Sequence, residues 1–229
     1  MLVEYLKNIP MFKHLKDAQL EKVASRCRKT LYKKGATVFY KTDTTTDLYI
    51  VLSGRLKAVL IDEDGDEIVL AHFGKGTFFG ELSLLDGKGR SATIVADESS
   101  ELAVLGRDAF LMILAEDSKI AIELISTLVE RLRKADEMIE SLAFLEVSER
   151  LIKIFLDSAG EDDPQCKGYG RCTKFTHKEL ASLVGASREA VSKGMKMLIS
   201  KGLVRDTGDS ILIARDALRL IKDSARTFK

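Results

Sequence analysis

Cysteine is scarce in this chain of 229 residues, with only Cys27, Cys166 and Cys172 present. Three are too few to staple a chain of this length, and an odd count argues for reduced thiols. No apolar run approaches the roughly 18 residues of a membrane helix. The opening Met1-Leu-Val-Glu-Tyr-Leu-Lys carries an early acid and lacks the layout of a secretory leader. These absences predict a cytoplasmic protein with no membrane partner. Neither a P-loop nor a nucleophile paired with a base is found, so no enzymatic activity is expected. No metal site is expected either. Cys166 and Cys172 lack a usual zinc spacing, and even with His177 a fourth ligand is missing. No internal repeat or low-complexity tract interrupts the chain.

What is present suits two domains. Hydrophobic residues make up 45% and charged residues 31%, enough for real cores and a well-solvated surface. The net charge of +1 hides an asymmetry. Residues 1–145 carry 20 Lys and Arg against 23 Asp and Glu. From Thr173 onward the count is 12 against 6. A basic C-terminal segment attracts a phosphate backbone, although such a bias also serves as plain solvated surface.

Helical spacing of Leu15, Leu20, Val23 and Cys27 predicts helix up to about Arg28, with Cys27 in the core. From Leu31 to Gly106 the pattern is that of strands. Thr37–Tyr40, Asp47–Leu52, Arg55–Ile61, Glu67–Phe73, Ala92–Ala96 and Glu101–Leu105 are rich in β-branched and aromatic residues. Lys34-Gly35, Ser53-Gly54 and Asp64-Gly65 mark turns between them. Short strands at these intervals predict a small antiparallel barrel or roll. His14 and His72 read as structural residues in apolar surroundings.

Helix resumes near Arg107. Within Ser118–Leu145, Ala121, Ile125, Leu128, Leu132, Ala135, Ile139 and Leu142 keep steps of 4 and 3 without Gly or Pro. That is a heptad seam over three repeats. It suits a coiled coil between two copies of the chain, or a helix packed on its own barrel, or both on different faces. Val147–Ala159 reads as an amphipathic helix, 160–170 as a polar loop, Leu203–Ile213 as a hairpin, and Asp216 to Arg226 as a closing helix. The expected domains are a sensor over 1–117, a long helix over 118–145 and a C-terminal domain over 146–229.

The C-terminal domain carries the sharpest local signal. Thr176 followed by Glu179 forms a capping box. Leu180, Leu183 and Val184 give the first helix an apolar face, and Gly185 can end it in the left-handed conformation. Ser187 then caps a second helix with Val191, Met195 and Leu198 on its apolar side. Two short helices around such a turn make a helix-turn-helix, and the following hairpin makes it winged. The exposed start of the second helix presents Ser187, Arg188, Glu189, Ser192, Lys193 and Lys196. These, with Thr176, are the candidate DNA-contacting residues. Arg can donate twice to guanine, and a carboxylate can accept from the cytosine amine. The alternative for Glu189 is a pairing with a lysine of its own helix.

Arg188-Glu-Ala-Val-Ser-Lys-Gly-Met-Lys-Met-Leu resembles the recognition helix of the cyclic AMP receptor protein/FNR family of bacterial regulators. That receptor is among the handful of systems that define helix-turn-helix docking. The similarity covers nearly the whole chain, and Leu142-Ala-Phe-Leu-Glu-Val matches the family's join between long helix and DNA domain. The resemblance implies an α+β fold. Its parts are an N-terminal antiparallel β-roll, a long dimerisation helix and a C-terminal winged helix-turn-helix. It implies a homodimer on palindromic double-stranded DNA that works with RNA polymerase, with Arg188, Glu189 and Lys193 as base readers. The receptor has Arg where Lys193 stands; Lys keeps the charge but not the planar fork.

Phe79-Gly-Glu-Leu-Ser-Leu-Leu-Asp-Gly-Lys-Gly-Arg-Ser-Ala-Thr resembles the phosphate-binding cassette of cyclic-nucleotide-binding domains. Arg90 supplies a permanent forked cation for a phosphate, and Ser91 adds a hydroxyl. Glu81 can accept from a ribose 2′-OH, and Gly80 lets the backbone approach the sugar. Gly80, Glu81, Leu82, Arg90 and Ser91 are therefore the candidate effector residues. A bland alternative has Arg90 merely paired with Glu81. Members that bind cyclic AMP use adjacent Thr and Ser on the long helix, where this chain has Ala135 and Asp136. Asp136 joins the candidate list as a possible acceptor from an exocyclic amine. A cyclic nucleotide is the expected effector. Two alternatives stay open: the same DNA-binding role under a redox or gas signal, and a cyclic-nucleotide module that does not bind DNA.

Overall fold

The computed structural model of the chain describes residues 2–164 and 166–226. Two compact units emerge, one of residues 1–61 with 69–135 and the other of 62–68 with 136–229. The first opens with α1 (Leu2–Lys7) and, after a short 3-10 turn at Pro10–Phe12, α2 (Asp17–Arg26). Strands β1 (Cys27–Tyr32), β2 (Thr37–Phe39), β3 (Leu48–Ser53), β4 (Arg55–Ile61), β5 (Glu67–Gly74) and β6 (Phe78–Phe79) follow. A six-residue helix α3 (Glu81–Asp86) interrupts them before β7 (Thr93–Ala96) and β8 (Ser100–Leu105). Two four-stranded sheets result, in the orders β1-β8-β3-β6 and β2-β7-β4-β5, and the registered pairs run antiparallel.

The pleat of β3 explains why this sheet has two cores. Alternate side chains of a strand point to opposite faces. Tyr49 and Val51 enter the roll with Phe39, Leu56, Phe73, Phe79, Ile94, Leu102 and Val104. Leu48, Ile50 and Leu52 face the other way, into a layer built by Leu6, Phe12, Leu20, Val23 and Phe110. Phe110 belongs to α4 (Arg107–Glu116), which follows β8. Each fully buried side chain of this size contributes roughly 1.5–3 kcal/mol.

The expected helix up to Arg28 ends two residues sooner. Cys27 opens β1, and its pairing with Leu105 of β8 overrides the helical rhythm. His14 and His72 are also corrected: both are exposed, and each faces a carboxylate, Glu123 and Asp97 respectively.

The long helix α5 runs over Ser118–Phe144. It uses more than one face. Ile120 and Leu124 are buried in the helical layer, with Leu128 partly buried beside them. Ile122, Ile125, Val129, Leu132, Ile139 and Leu142 remain 40–64% exposed.

The second unit holds α6 (Val147–Ser158), β9 (Asp162–Asp163), β10 (Cys166–Thr173), α7 (His177–Val184), α8 (Arg188–Ser200), β11 (Val204–Asp206), β12 (Ser210–Ala214) and α9 (Ala217–Arg226). Its sheet has the order β11-β12-β10-β9. The segment expected as a polar loop at 160–170 is thus largely strand; its Gln165 lies outside the described residues. β10 carries Gly168 and Gly170 and has weak strand propensity of its own. Pairing of Tyr169–Thr173 with β12 overrides that. Leu151, Ile152 and Phe155 of α6 pack with Leu180, Val191, Leu198 and Ile213 into this unit's core.

Candidate functional site

The cassette begins at Gly80, whose φ of +88° lies in the left-handed region. A Cβ there would lie 2.7 Å from both Arg90 Nη1 and the Asp47 carbonyl oxygen. Glycine therefore does two jobs: it turns the chain from β6 into α3 and makes room for a guanidinium. Arg90 fills that room and is 3% exposed. Its Nε donates to Thr45 Oγ1 at 3.1 Å, Nη1 to the Gly80 carbonyl at 3.2 Å and Nη2 to the Asp47 carbonyl at 3.1 Å. The guanidinium lies over the rings of Phe39 and Tyr49, 4.1 and 5.5 Å from their centroids. Burial pulls its pKa down from the ordinary arginine value, yet arginine stays charged in proteins. Its direct partners are neutral oxygens and aromatic faces; among the described residues no carboxylate lies within ion-pair distance of it. A buried cation so placed is stabilised by an incoming anion.

The bland pairing of Arg90 with Glu81 is not what the structure holds. Glu81 is 3% exposed, and its Oε1 accepts from Arg131 Nη1 at 2.6 Å. Arg131 comes from α5, also donates to the Phe78 carbonyl, and lies 5.2 Å from the centroids of the Phe73 and Phe78 rings. The other oxygen, Glu81 Oε2, is buried with no hydrogen-bond partner. A buried carboxylate oxygen left unpaired costs about 1–3 kcal/mol, and a ligand hydroxyl would relieve it. Ser91 and Leu82 are exposed. Leu82 offers no polar side chain, so its share in binding an effector falls to its backbone. Asp136 is exposed on α5 and lies in the second unit. The structure thus brings Gly80, Glu81 and Arg90 together. A separate groove of about 520 Å³ is lined by α1, β3 and the Lys75-Gly76 turn, and none of the cassette residues line it.

In the second unit the caps form as their sequence requires. Thr176 Oγ1 accepts from Glu179 N–H at 3.2 Å, and Glu179 Oε2 accepts from Thr176 N–H at 2.7 Å. Gly185 ends α7 at φ +61°, and Ser187 Oγ accepts from Ala190 N–H at 3.2 Å. Thr176 and Ser187 therefore fix the helix starts, whatever else they touch. Arg188, Glu189, Ser192, Lys193 and Lys196 line one open concavity on α8. All but Ser192 are exposed, and Ser192 is half-buried. The alternative in which Glu189 pairs with a lysine of its own helix is not realised; among the described residues it forms no ion pair.

Sequence comparison assigns residues 29–117 to the cyclic nucleotide-binding domain and 149–221 to the Crp-like helix-turn-helix domain. The cyclic AMP receptor protein of Thermus thermophilus is 34% identical over 215 residues, which cover 94% of this chain and 96% of that protein. The chain belongs to the cyclic AMP receptor protein/FNR family of transcription regulators. Another relative, the cAMP-activated global transcriptional regulator Vfr of Pseudomonas aeruginosa, is 31% identical over 212 residues, covering 91% of this chain and 97% of that one. Among solved structures, the c-di-GMP responsive global regulator CLP of Xanthomonas campestris matches with a TM-score of 0.74 at 26% identity, over 86% of this chain and 99% of that one.

Arg131 sits beside the heptad seam and is not among the candidates drawn from the sequence. The signal was Glu81: a carboxylate expected inside a roll needs a cation, and α5 supplies it. Cys27, Cys166 and Cys172 are free. Burial pushes the Cys27 thiol up to about 11, and it raises Cys172, whose Sγ donates to the Phe155 carbonyl at 3.0 Å. Among the described residues no group of His, Cys, Asp and Glu is placed to hold a metal ion.

Proposed function

We propose that this regulator binds a cyclic nucleotide through Arg90 and Glu81 and, as a homodimer, reads a palindromic DNA site through Arg188, Glu189 and Lys193. The observation that carries the effector half is the buried Arg90 guanidinium, hydrogen-bonded to the carbonyl of Gly80, next in the chain to Glu81, whose Oε2 is buried with no hydrogen-bond partner among the described residues. A cyclic nucleotide offers the two matching groups, a monoanionic phosphate and a ribose hydroxyl. Gly80 and Ser91 flank that pair, and Leu82 adds backbone. Asp136 is the proposed contact to the base. Arg131 is a positioning residue: its hydrogen bond and ion pair orient Glu81. Because Arg131 belongs to the long helix, what happens at Glu81 is mechanically tied to α5. That is the differential contact an effector needs in order to shift a two-state equilibrium.

Titration calorimetry with cyclic AMP, cyclic GMP and cyclic di-GMP tests the effector. Heat from at least one, abolished in Arg90→Leu, is expected. No heat from any of them overturns the cyclic-nucleotide assignment and leaves the DNA half standing.

The DNA half rests on the exposed set Arg188, Glu189, Lys193 and Lys196, which form no ion pair among the described residues, with Ser192, on a helix whose start Ser187 caps. Two such helices in a dimer would meet successive major grooves about 34 Å apart. Arg188→Ala is expected to cost roughly 1–3 kcal/mol on the specific site and to relax its sequence preference. Full discrimination by that variant in a gel-shift series would remove the base-reading role. The dimer is proposed along the exposed apolar stripe of α5, in the cytoplasm, with RNA polymerase as the downstream partner.

A further inference from the structure

A histidine of the first helix touches the reading face of the second. His177 Nδ1 and Ser192 Oγ are 2.9 Å apart, joining α7 to α8. The capping box at Thr176 and Glu179 fixes the start of α7, so the imidazole is held against Ser192 by a rigid element. Ser192 in turn lines the same concavity as Arg188, Glu189, Lys193 and Lys196. His177 was no part of the reading set drawn from the sequence.

We propose that His177 sets, through its proton, the hydrogen-bond polarity of Ser192 and with it the base preference at one position of the DNA site. The proposal rests on the DNA-reading assignment above. A hydroxyl has one proton to donate, and an imidazole nitrogen either donates or accepts. When His177 is protonated, Nδ1–H must donate to Ser192 Oγ. The Ser192 proton then turns outward, and the serine acts as a donor. It favours an acceptor on a base edge, such as guanine O6 and N7 or thymine O4. When His177 is neutral with its proton on Nε2, Nδ1 accepts from Ser192 O–H. The serine then shows only lone pairs and favours an amine, on cytosine N4 or adenine N6. Histidine is the side chain that changes charge in this way near neutrality.

Charged groups of both signs stand on the two helices. Lys174 precedes α7, and Lys178 and Glu179 share its first turn. From α8, Arg188, Glu189, Lys193 and Lys196 share the concavity with Ser192. Phosphates of bound DNA favour a protonated imidazole beside them, so the donor form of Ser192 gains weight in the complex.

The test uses the full-length protein, with and without cyclic AMP. A duplex is selected from a random library at pH 7, and its single-base-pair variants are then measured at pH 6 and pH 8 at constant ionic strength. At one symmetric position the ratio of affinities for guanine or thymine over cytosine is expected to rise about fivefold on going to pH 6, the worth of one hydrogen bond. In His177→Asn, which keeps a polar partner for Ser192 but does not titrate, the ratio should be the same at both pH values. Ser192→Ala should also lose the pH effect, and it serves as the second variant should His177→Asn fold poorly. A wild-type preference that does not change with pH overturns the proposal while the DNA reading survives. So does a pH effect that persists in either variant. Failure to select any duplex overturns the DNA reading itself.

Discussion

Single residues carry most of what distinguishes this sensor from an inert roll. Gly80→Ala forces a Cβ into a left-handed backbone position and against Arg90 and Asp47. The backbone term alone is about 1–2 kcal/mol, so a lower Tm is expected together with loss of effector heat in calorimetry. Arg131→Gln strips the ion-pair partner from the buried Glu81. Arg131 is partly exposed, so the destabilisation should be on the order of 2 kcal/mol rather than the full penalty of a buried pair. Adding Glu81→Gln should recover part of it, as urea denaturation of the single and double variants will show. Cys27, with its thiol pushed up to about 11 by burial, should be almost wholly protonated at pH 8 and react with a thiol reagent far more slowly in the folded protein than in the unfolded one. At this scale the sequence was legible wherever a residue's role is local. The capping residues Thr176 and Ser187 are of that kind, and so is Gly185. Arg131 and His177 were not legible, because their partners lie 50 and 15 positions away and no spacing rule joins them.

Elements show where local pattern and tertiary context part company. The heptad steps of α5 were visible in the sequence; the division of its faces was not. Ile120 and Leu124 go inward while Ile125, Leu132 and Ile139 face out, because the packed layer next to α5 reaches only its first turns. A glutamate at Leu132 should therefore leave the fold intact and weaken the proposed dimer, with sedimentation equilibrium as the readout. A wild-type protein that sediments as a monomer would sink the dimer outright. The same helix is tied down by Glu123, which meets Lys13 Nζ at 2.8 Å and His14 Nε2 at 3.3 Å. The hydrogen bond from Lys13 is the main reason the Glu123 carboxyl sits below the ordinary 4.5. A depressed carboxyl pKa stabilises the fold above the ordinary value and loses that contribution as pH falls through the folded one. The difference in urea midpoint between wild type and Glu123→Gln should thus be present at pH 6 and vanish at the acid end. Strands β1 and β10 escaped the sequence reading for opposite reasons: one continued an apparent helical rhythm, and the other was too rich in glycine to look like a strand.

The whole molecule pairs an acidic or neutral sensor with a basic C-terminal segment, and that asymmetry was plain from composition alone. It predicts a steep salt dependence of DNA binding, with the logarithm of affinity falling by about 0.9 per neutralised phosphate for each unit in log salt. Lys193→Ala and Lys196→Ala distinguish two roles here. A phosphate contact flattens that slope for all sequences, whereas a base reader changes the ranking among them. One feature of the sensor bears on its motion. Strand β3 is buried on both faces and lies between β8 and β6. Its amides from Leu48 to Leu52 can meet solvent only when both layers of the unit come apart. Hydrogen exchange there should be the slowest in the first unit and should report its global unfolding free energy, while α3 exchanges through smaller openings. Under the proposed effector binding, α3 would loosen or tighten over a floor that does not yield, and its ties to α4 and α5, Leu84 to Arg107 and Glu81 to Arg131, are where a conformational signal would leave.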